Sequence, residues 1–159
     1  MGIDLDDLDR KILEYLQVDS RRPFLEIARN LKVSGGTVHG RVNRMKELGV
    51  IQGSKVIIDY RSIGLNVSAF VGVQLSEARH TEAVQAALSS IPEIVEIHCT
   101  TGAYNFFVKT VTASVEALYA LLTDKLQPIE FVRSSETLLV LHTPLMRDPS
   151  IAPPADTGD

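Results

Sequence analysis

The chain has 159 residues, 45% of them apolar and 23% charged, with a formal net charge of −4. That length suits one domain or two small ones around a buried core. No apolar run reaches the roughly 18 residues of a membrane span, Met1-Gly2-Ile3-Asp4 lacks the basic-then-apolar order of a secretory signal, and the single Cys99 excludes an intrachain disulfide; a cytoplasmic location is expected.

The first piece, residues 1–53, reads as three helices. Asp4 or Asp6 can cap the first, whose apolar face is Leu8, Ile12, Leu13 and Leu16 and which ends near Val18-Asp19. Pro23 suits the first turn of a second helix with Phe24, Ile27, Ala28 and Leu31 inward. Ser34 is the expected N-cap of a third, in which Val38, Val42, Met45 and Leu48 recur at helical spacing before Gly49. Each helix is too short to be stable alone, so the three must pack together. Residues 54–65 read as a short apolar strand (Val56, Ile57, Ile58) and a linker turn.

The second piece, residues 66–143, reads strand, helix, strand, strand, helix, strand. Val67 to Leu75 alternates with Ala69, Val71 and Val73 on one face; a helix over 81–88 stops before Ile91-Pro92. Strands over 94–100 and 104–111 flank a tight turn at Gly102, a helix over 115–126 carries Leu118, Leu121 and Leu122, and the last strand covers 132–141. This βαββαβ order is ferredoxin-like. Two helices cover one sheet face; Phe70, Phe106 and Leu139 are expected to keep both faces partly apolar, which predicts an oligomer. The proline-rich segment 144–159 is expected to be a disordered tail. The class is therefore α+β: an N-terminal winged-type helix-turn-helix domain plus a C-terminal ferredoxin-like βαββαβ domain.

Charge is distributed unevenly. Residues 1–62 carry eleven Lys or Arg against nine Asp or Glu; residues 63–159 carry five against eleven. Within 29–55 there are six basic residues and one acidic. A positive footprint confined to one element is what docking on DNA phosphates requires, and the acidic remainder must face away. Many basic helices are merely solvated, but here only about three residues separate the second and third helices and the apolar spacing closes a compact unit. Residues at the start of such a helix reach base edges and later ones meet phosphates. Thr37 and His39 are thus candidates for base contacts, Arg41 for either, and Arg44, Lys46 and Arg22 for phosphates. Ser34 caps the helix, and Gly36 lets its N-terminus approach closely or, in the plainer reading, packs it against the second helix.

No nucleophile–base pair or nucleotide-binding glycine loop is visible, since Gly35-Gly36 lacks a following Lys-Ser or Lys-Thr. His39, His80, His98 and His142 have no close-spaced ligand partners, and His98 and Cys99 point to opposite faces of their strand. An enzyme, a metal or a cofactor is therefore not expected. The polar stretch from Thr100 to Asn105 could hold a small zwitterion through its backbone amides, the Tyr104 hydroxyl and the Asn105 amide; the alternative is a plain hairpin turn.

Leu5-Asp6-Asp7-Leu8-Asp9-Arg10-Lys11-Ile12-Leu13, Asp19-Ser20-Arg21, Glu26-Ile27-Ala28, Val33-Ser34, Thr37-Val38 with Arg41-Val42, Leu48-Gly49-Val50-Ile51-Gln52-Gly53, Ile91-Pro92-Glu93-Ile94-Val95 and Thr101-Gly102-Ala103-Tyr104 together resemble the Lrp/AsnC (feast/famine) regulators, over roughly residues 4–142. The resemblance implies a DNA-binding domain joined by a strand to a ligand-response domain, dimers through sheet packing often assembled into octamers, and an amino acid effector near the glycine loop. It implies effector contacts at Thr101, Gly102, Tyr104 and Asn105 and at the hydroxyls of Ser135 and Thr137. Effector binding would then be linked reciprocally to assembly or DNA binding. The glycine pair at 35–36 is one departure from the family pattern; three more stand out in the second piece. Asn105 replaces the usual Asp, so an effector ammonium loses a direct charge partner. Glu130-Phe131-Val132 replaces Pro-Gly-Val, so that turn differs. Ser135-Glu136-Thr137 replaces Thr-x-Thr but keeps both outer hydroxyls. The expected function is a sequence-specific transcriptional regulator of double-stranded DNA responding to a small molecule, with an effector-independent architectural DNA-binding protein as the alternative.

Overall fold

The computed structural model describes residues 3–151, which fall into two compact units. One takes the residues up to Ile57 together with those from Leu145 onward; the other spans Ile58–Pro144.

The first unit holds α1 (Asp7–Val18), α2 (Phe24–Leu31) and α3 (Gly35–Glu47). Asp6 is the cap of α1: its carboxylate accepts from the Asp9 N–H at 2.9 Å. Pro23 is the N-cap of α2 rather than a first-turn residue. That helix closes with Lys32 in the left-handed region, φ 57°, and the Val33 N–H on the Ala28 carbonyl at 3.0 Å. Such a closure satisfies carbonyls that a helix end would otherwise orphan. Ser34 then caps α3, accepting from the Thr37 N–H at 3.0 Å. The core is Ile12, Ile27, Ala28, Val38, Val42 and Met45, with Leu8, Leu13, Leu16, Phe24 and Leu31 packed around it. The apolar spacing places all of these inward; Leu48, which it also places inward, is exposed at the end of α3.

Two expectations for the flanks are corrected. No strand forms over 55–59, and no wing follows α3 among the described residues. A strand exists only through a paired ladder, and this segment has none: Val56 and Ile57 are 77% and 89% exposed. Beyond it lies a single 3₁₀ turn, Arg61–Ile63, held by the Asp59 carboxylate, which accepts from the Arg61 N–H and the Ser62 hydroxyl. The supposed disordered tail is also ordered in part. Residues 145–151 lie along α1, where Arg10 donates to the Ile151 carbonyl (3.1 Å) and Gln17 to the Pro149 carbonyl (3.2 Å). Arg10, Glu14 and Gln17 form one helical stripe, and Glu14 and Gln17 line an open cleft of about 550 Å³ with the segment Arg147 to Ile151. The rest of that expectation, 152–159, lies outside the described residues.

The second unit runs β1 (Val67–Leu75), a 3₁₀ turn (Ala78–His80), α4 (Thr81–Ser89), β2 (Ile94–Cys99), β3 (Phe106–Thr112), α5 (Val115–Ala120) and β4 (Val132–Leu139). The helix expected over 115–126 changes character midway, α5 continuing as a π-helical coil over Leu121–Leu126. Sheet order is β2-β3-β1-β4, every neighbour antiparallel, as in the ferredoxin-like fold. Residues opposite one another in a ladder share a face, so Val71, Val73, Phe106 and Val108 meet Val84, Leu88, Leu121 and Leu126 in one core. Phe106 is fully buried there, and Leu139, opposite Ala69, points the same way. Phe70 and Phe107 therefore lie on the other face, stacked at 5.4 Å, beside half-exposed Leu138.

Phe131, where the resemblance would place glycine, has φ 72°. A left-handed backbone costs a bulky residue about 1–3 kcal/mol. Its ring stacks on His80 at 3.5 Å, and its carbonyl accepts from the Ser76 N–H at 2.9 Å. Those contacts offset the strain and tie the start of β4 to the end of β1.

Deleting residues 145–159 is expected to destabilise the first unit and leave the sheet unchanged. Two surface hydrogen bonds are worth about 1 kcal/mol together, so amide exchange in α1 should quicken roughly 5-fold while that of β1 and β3 holds.

Candidate functional site

Helix geometry divides α3 into a buried strip, an outward strip and two flanks. Val38, Val42 and Met45 are buried. Gly36, Gly40 and Asn43 point away from the core and are exposed; His39 and Lys46 flank them on one side, Thr37, Arg41 and Arg44 on the other. Both readings of the glycines find a place. A Cβ on Gly35 would come within 2.7 Å of Leu25 Cδ2, so α3 starts tight against α2. A Cβ on Gly40 would meet nothing within 4 Å, and on Gly36 only the Ser34 hydroxyl at 3.7 Å. Those two leave the outward strip bare at a cost of up to about 1 kcal/mol each in helix propensity.

The basic side chains are not equally free. Asp9 has no exposed surface, and its two carboxylate oxygens accept from Arg41 Nη1 and Arg44 Nη1, each at 3.2 Å. The second oxygen of Asp6 also takes Arg41 Nη1. The Asp9 backbone N–H and then the Arg41 guanidinium hold the Asp6 carboxyl below the ordinary Asp range. Arg22 sits on the α1–α2 turn, paired with Glu26 at 3.4 Å and lying 5.2 Å over the Tyr15 ring. The Thr37 hydroxyl is bonded to that of Ser34 at 2.8 Å. His39 lies edge-on to Phe24 and 3.4 Å from the Asn43 amide. The structure thus brings Ser34, Gly36, Thr37, His39, Arg41, Arg44 and Lys46 onto one helix and leaves Arg22 on a different element. What the sequence reading missed is the pair Asp6 and Asp9. The signal was there as two carboxylates three residues apart and two arginines three residues apart, but only the packing of α1 on α3 shows that they meet.

In the second unit the polar stretch between β2 and β3 is tied at Thr100, Ala103, Tyr104 and Asn105. Gly102 turns it with φ 102°. Thr100 donates its hydroxyl to the Tyr104 carbonyl at 2.8 Å, and Gln74 donates to the Ala103 carbonyl at 2.7 Å. The Asn105 N–H reaches the Val73 carbonyl at 2.9 Å, and its side-chain oxygen accepts from the Leu75 N–H at 2.8 Å. Because Leu75 supplies a donor, the atom facing it must be Oδ1, which turns the amide NH₂ away. Tyr104 lies across β1: a Cβ on Gly72 would fall 2.6–2.7 Å from three of its ring atoms. Its hydroxyl donates to the Glu136 carboxylate, and that bond above all raises the phenol pKa. Gly72 and Glu136 pair across the ladder and so share this face, whereas Ser135 pairs with Val73 and Thr137 with Val71 on the helix side. Of the six expected effector contacts, Tyr104 therefore lies on one face of the sheet and Ser135 and Thr137 on the other, while Thr101 and Gly102 sit in the turn. Glu136 and Gly72 had not been singled out; a glycine inside a β-branched strand is itself a sign of close approach.

Among the described residues there is no group of three metal-ligating side chains, and no helix is long and apolar enough to cross a membrane.

Arg44→Ala should leave one oxygen of a buried carboxylate without its partner, at about 1–3 kcal/mol. Urea unfolding is expected to show that loss, and Lys46→Ala, with no such partner to strand, is expected to be neutral within about 0.5 kcal/mol.

Comparison with known proteins agrees with this architecture. The model of the AsnC-type helix-turn-helix domain matches residues 5–46, and that of the Lrp/AsnC ligand binding domain matches residues 68–150. The regulatory protein AsnC of Haemophilus influenzae is 43% identical over 144 residues, which is 91% of this chain and 96% of that protein. The solved structure of E. coli AsnC superposes with a TM-score of 0.90 at 37% identity, covering 93% of this chain and 99% of that one. A transcriptional regulator from Neisseria meningitidis, solved as an L-Met complex, shares the fold with a TM-score of 0.86 at 21% identity, covering 91% and 94%. On these matches the chain belongs to the Lrp/AsnC family of helix-turn-helix transcriptional regulators.

Proposed function

We propose that this protein reads a specific duplex DNA site with α3 and answers to a small molecule bound at the β2–β3 turn, an α-amino acid being the first class to test. The observation that carries the DNA reading is the exposed, Ser34-capped α3, with a bare central strip and basic residues on both flanks. Its width suits a major groove. Thr37 and His39 are the base-reading candidates. Lys46 is the phosphate contact least committed elsewhere; Arg44 and Arg22 share theirs with carboxylates. Arg41 lies beside Thr37 and keeps further N–H donors beyond the two on Nη1 that Asp6 and Asp9 hold.

The effector reading rests on the ligand-binding-domain match and on the chemistry near Tyr104. With its oxygen engaged, Asn105 offers donors that suit a carboxylate; Glu136 offers negative charge for an ammonium. Thr101 and Gly102 present exposed backbone close by, while Ser135 and Thr137 would serve only a ligand reaching round the β4 edge. The Neisseria relative is itself an L-Met complex, which sets the order of candidates. Phe70, Phe107 and Leu138 support a homodimer through the uncovered sheet face, with an octamer as the fuller assembly. The dense internal bonding of the turn favours one competing reading, an architectural DNA-binding protein without an effector.

Lys46→Ala is expected to weaken specific and random duplexes alike and to flatten the dependence of log K on log salt by about 0.9. His39→Ala is expected to cost about 1–3 kcal/mol on the specific site only. An unchanged slope, or equal losses, would refute those roles. Calorimetric titration with the twenty amino acids is expected to give saturable heat that Glu136→Gln diminishes. Absence of heat throughout would favour the architectural reading.

A further inference from the structure

The Asp6–Arg41 contact is more than a surface ion pair, because both partners have second duties. One oxygen of Asp6 caps α1 while the other sits on Arg41 Nη1. Arg41 in turn is held from behind by buried Asp9. Asp4, Asp6 and Asp9 surround one open cleft with Arg41 and Arg44, so three carboxylates face two guanidinium groups on the flank of a helix that otherwise reads as basic. Asp9, without exposed surface, stays in place. Asp6 has half of its side chain in water. Of the two carboxylates on Arg41, it is the one that solvent reaches.

We propose that Asp6 is a specificity-determining residue, an internal competitor for the phosphate that Arg41 would otherwise bind on any DNA. The proposal rests on the reading of α3 as the DNA interface. Random duplex offers little beyond phosphate charge, so a guanidinium already neutralised by Asp6 gains little there. A cognate site adds base contacts that draw the arginine off Asp6. Asp6 thus lowers non-specific affinity more than specific affinity and widens the ratio between them, while Asp9 keeps the arginines in position.

The test is fluorescence anisotropy with the full-length protein on two duplexes, one random and one from its own upstream region, across a salt series. Asp6→Asn keeps an oxygen for the α1 cap and removes the charge; Asp6→Ser does the same with a different cap. Both are expected to bind random duplex about 3- to 10-fold more tightly at low salt, with a salt slope steeper by about 0.9, one phosphate's worth, and with the specific-to-random ratio reduced. Asp7→Asn changes net charge equally, one position from the cap, and is expected to shift neither slope nor ratio. A merely structural role for Asp6 would lower the urea midpoint and leave the slope alone. Unchanged or weaker random binding by the folded Asp6 variants overturns the proposal, as does an equal gain from Asp7→Asn. If the wild-type protein binds neither duplex at low salt, the DNA interface itself is refuted and this competitor with it. If the wild type binds and only the Asp6 variants fail to respond, the interface stands and the competitor alone falls.

Discussion

A single carboxylate with no access to water organises the first unit. Asp9 lies where α1 meets α3 and bonds an arginine with each oxygen. An unpaired charge there would be costly, and an aliphatic residue there would leave the two arginines without direction. The apolar contacts of Ile12, Ile27, Val38 and Met45 bring three short helices together. Buried Val38, Val42 and Met45 set which face of α3 turns inward; the ionic contact adds a fixed position for the Arg41 and Arg44 side chains on one flank of that helix.

The second unit uses a different device to similar effect. Removing a side chain at Gly72 lets the Tyr104 ring lie across β1, and the ring's hydroxyl then reaches Glu136 on β4 beyond it. Asn105 supplies the bonds that the irregular end of β1 lacks. A turn held in this way is ordered by its own bonds.

Helix and strand periodicity made most of this legible from the residues alone. The three caps at Asp6, Ser34 and the glycine after Leu48, the alternation of Val67–Leu75 and the turn at Gly102 all depend on local chemistry, and all were readable. The failures share one cause: they depended on neighbours distant in sequence. Residues 55–59 have the composition of a strand, but a strand requires another to pair with. Phe106 and Phe107 are adjacent and alike, and only the ladder register decides which enters the core. Asp6 reads as a cap, which it is, but only packing places it and Asp9 on Arg41 and Arg44. Ser135 and Thr137 came with the family pattern, and strand alternation separates them from Tyr104. Phe131 broke the pattern at a glycine position, and nothing local could have supplied the His80 ring that makes this tolerable.

The path of the chain has a further consequence. It leaves the first unit at Ile57 and rejoins it at Leu145, so the second unit is nested within the first rather than appended to it. A protease cutting the exposed 55–59 segment would not release a whole DNA-binding module. It would leave the three helices on one fragment and the stretch that lies against Arg10 and Gln17 on the other. Gene fragments designed to end near residue 57 would omit a piece of the module they aim to isolate.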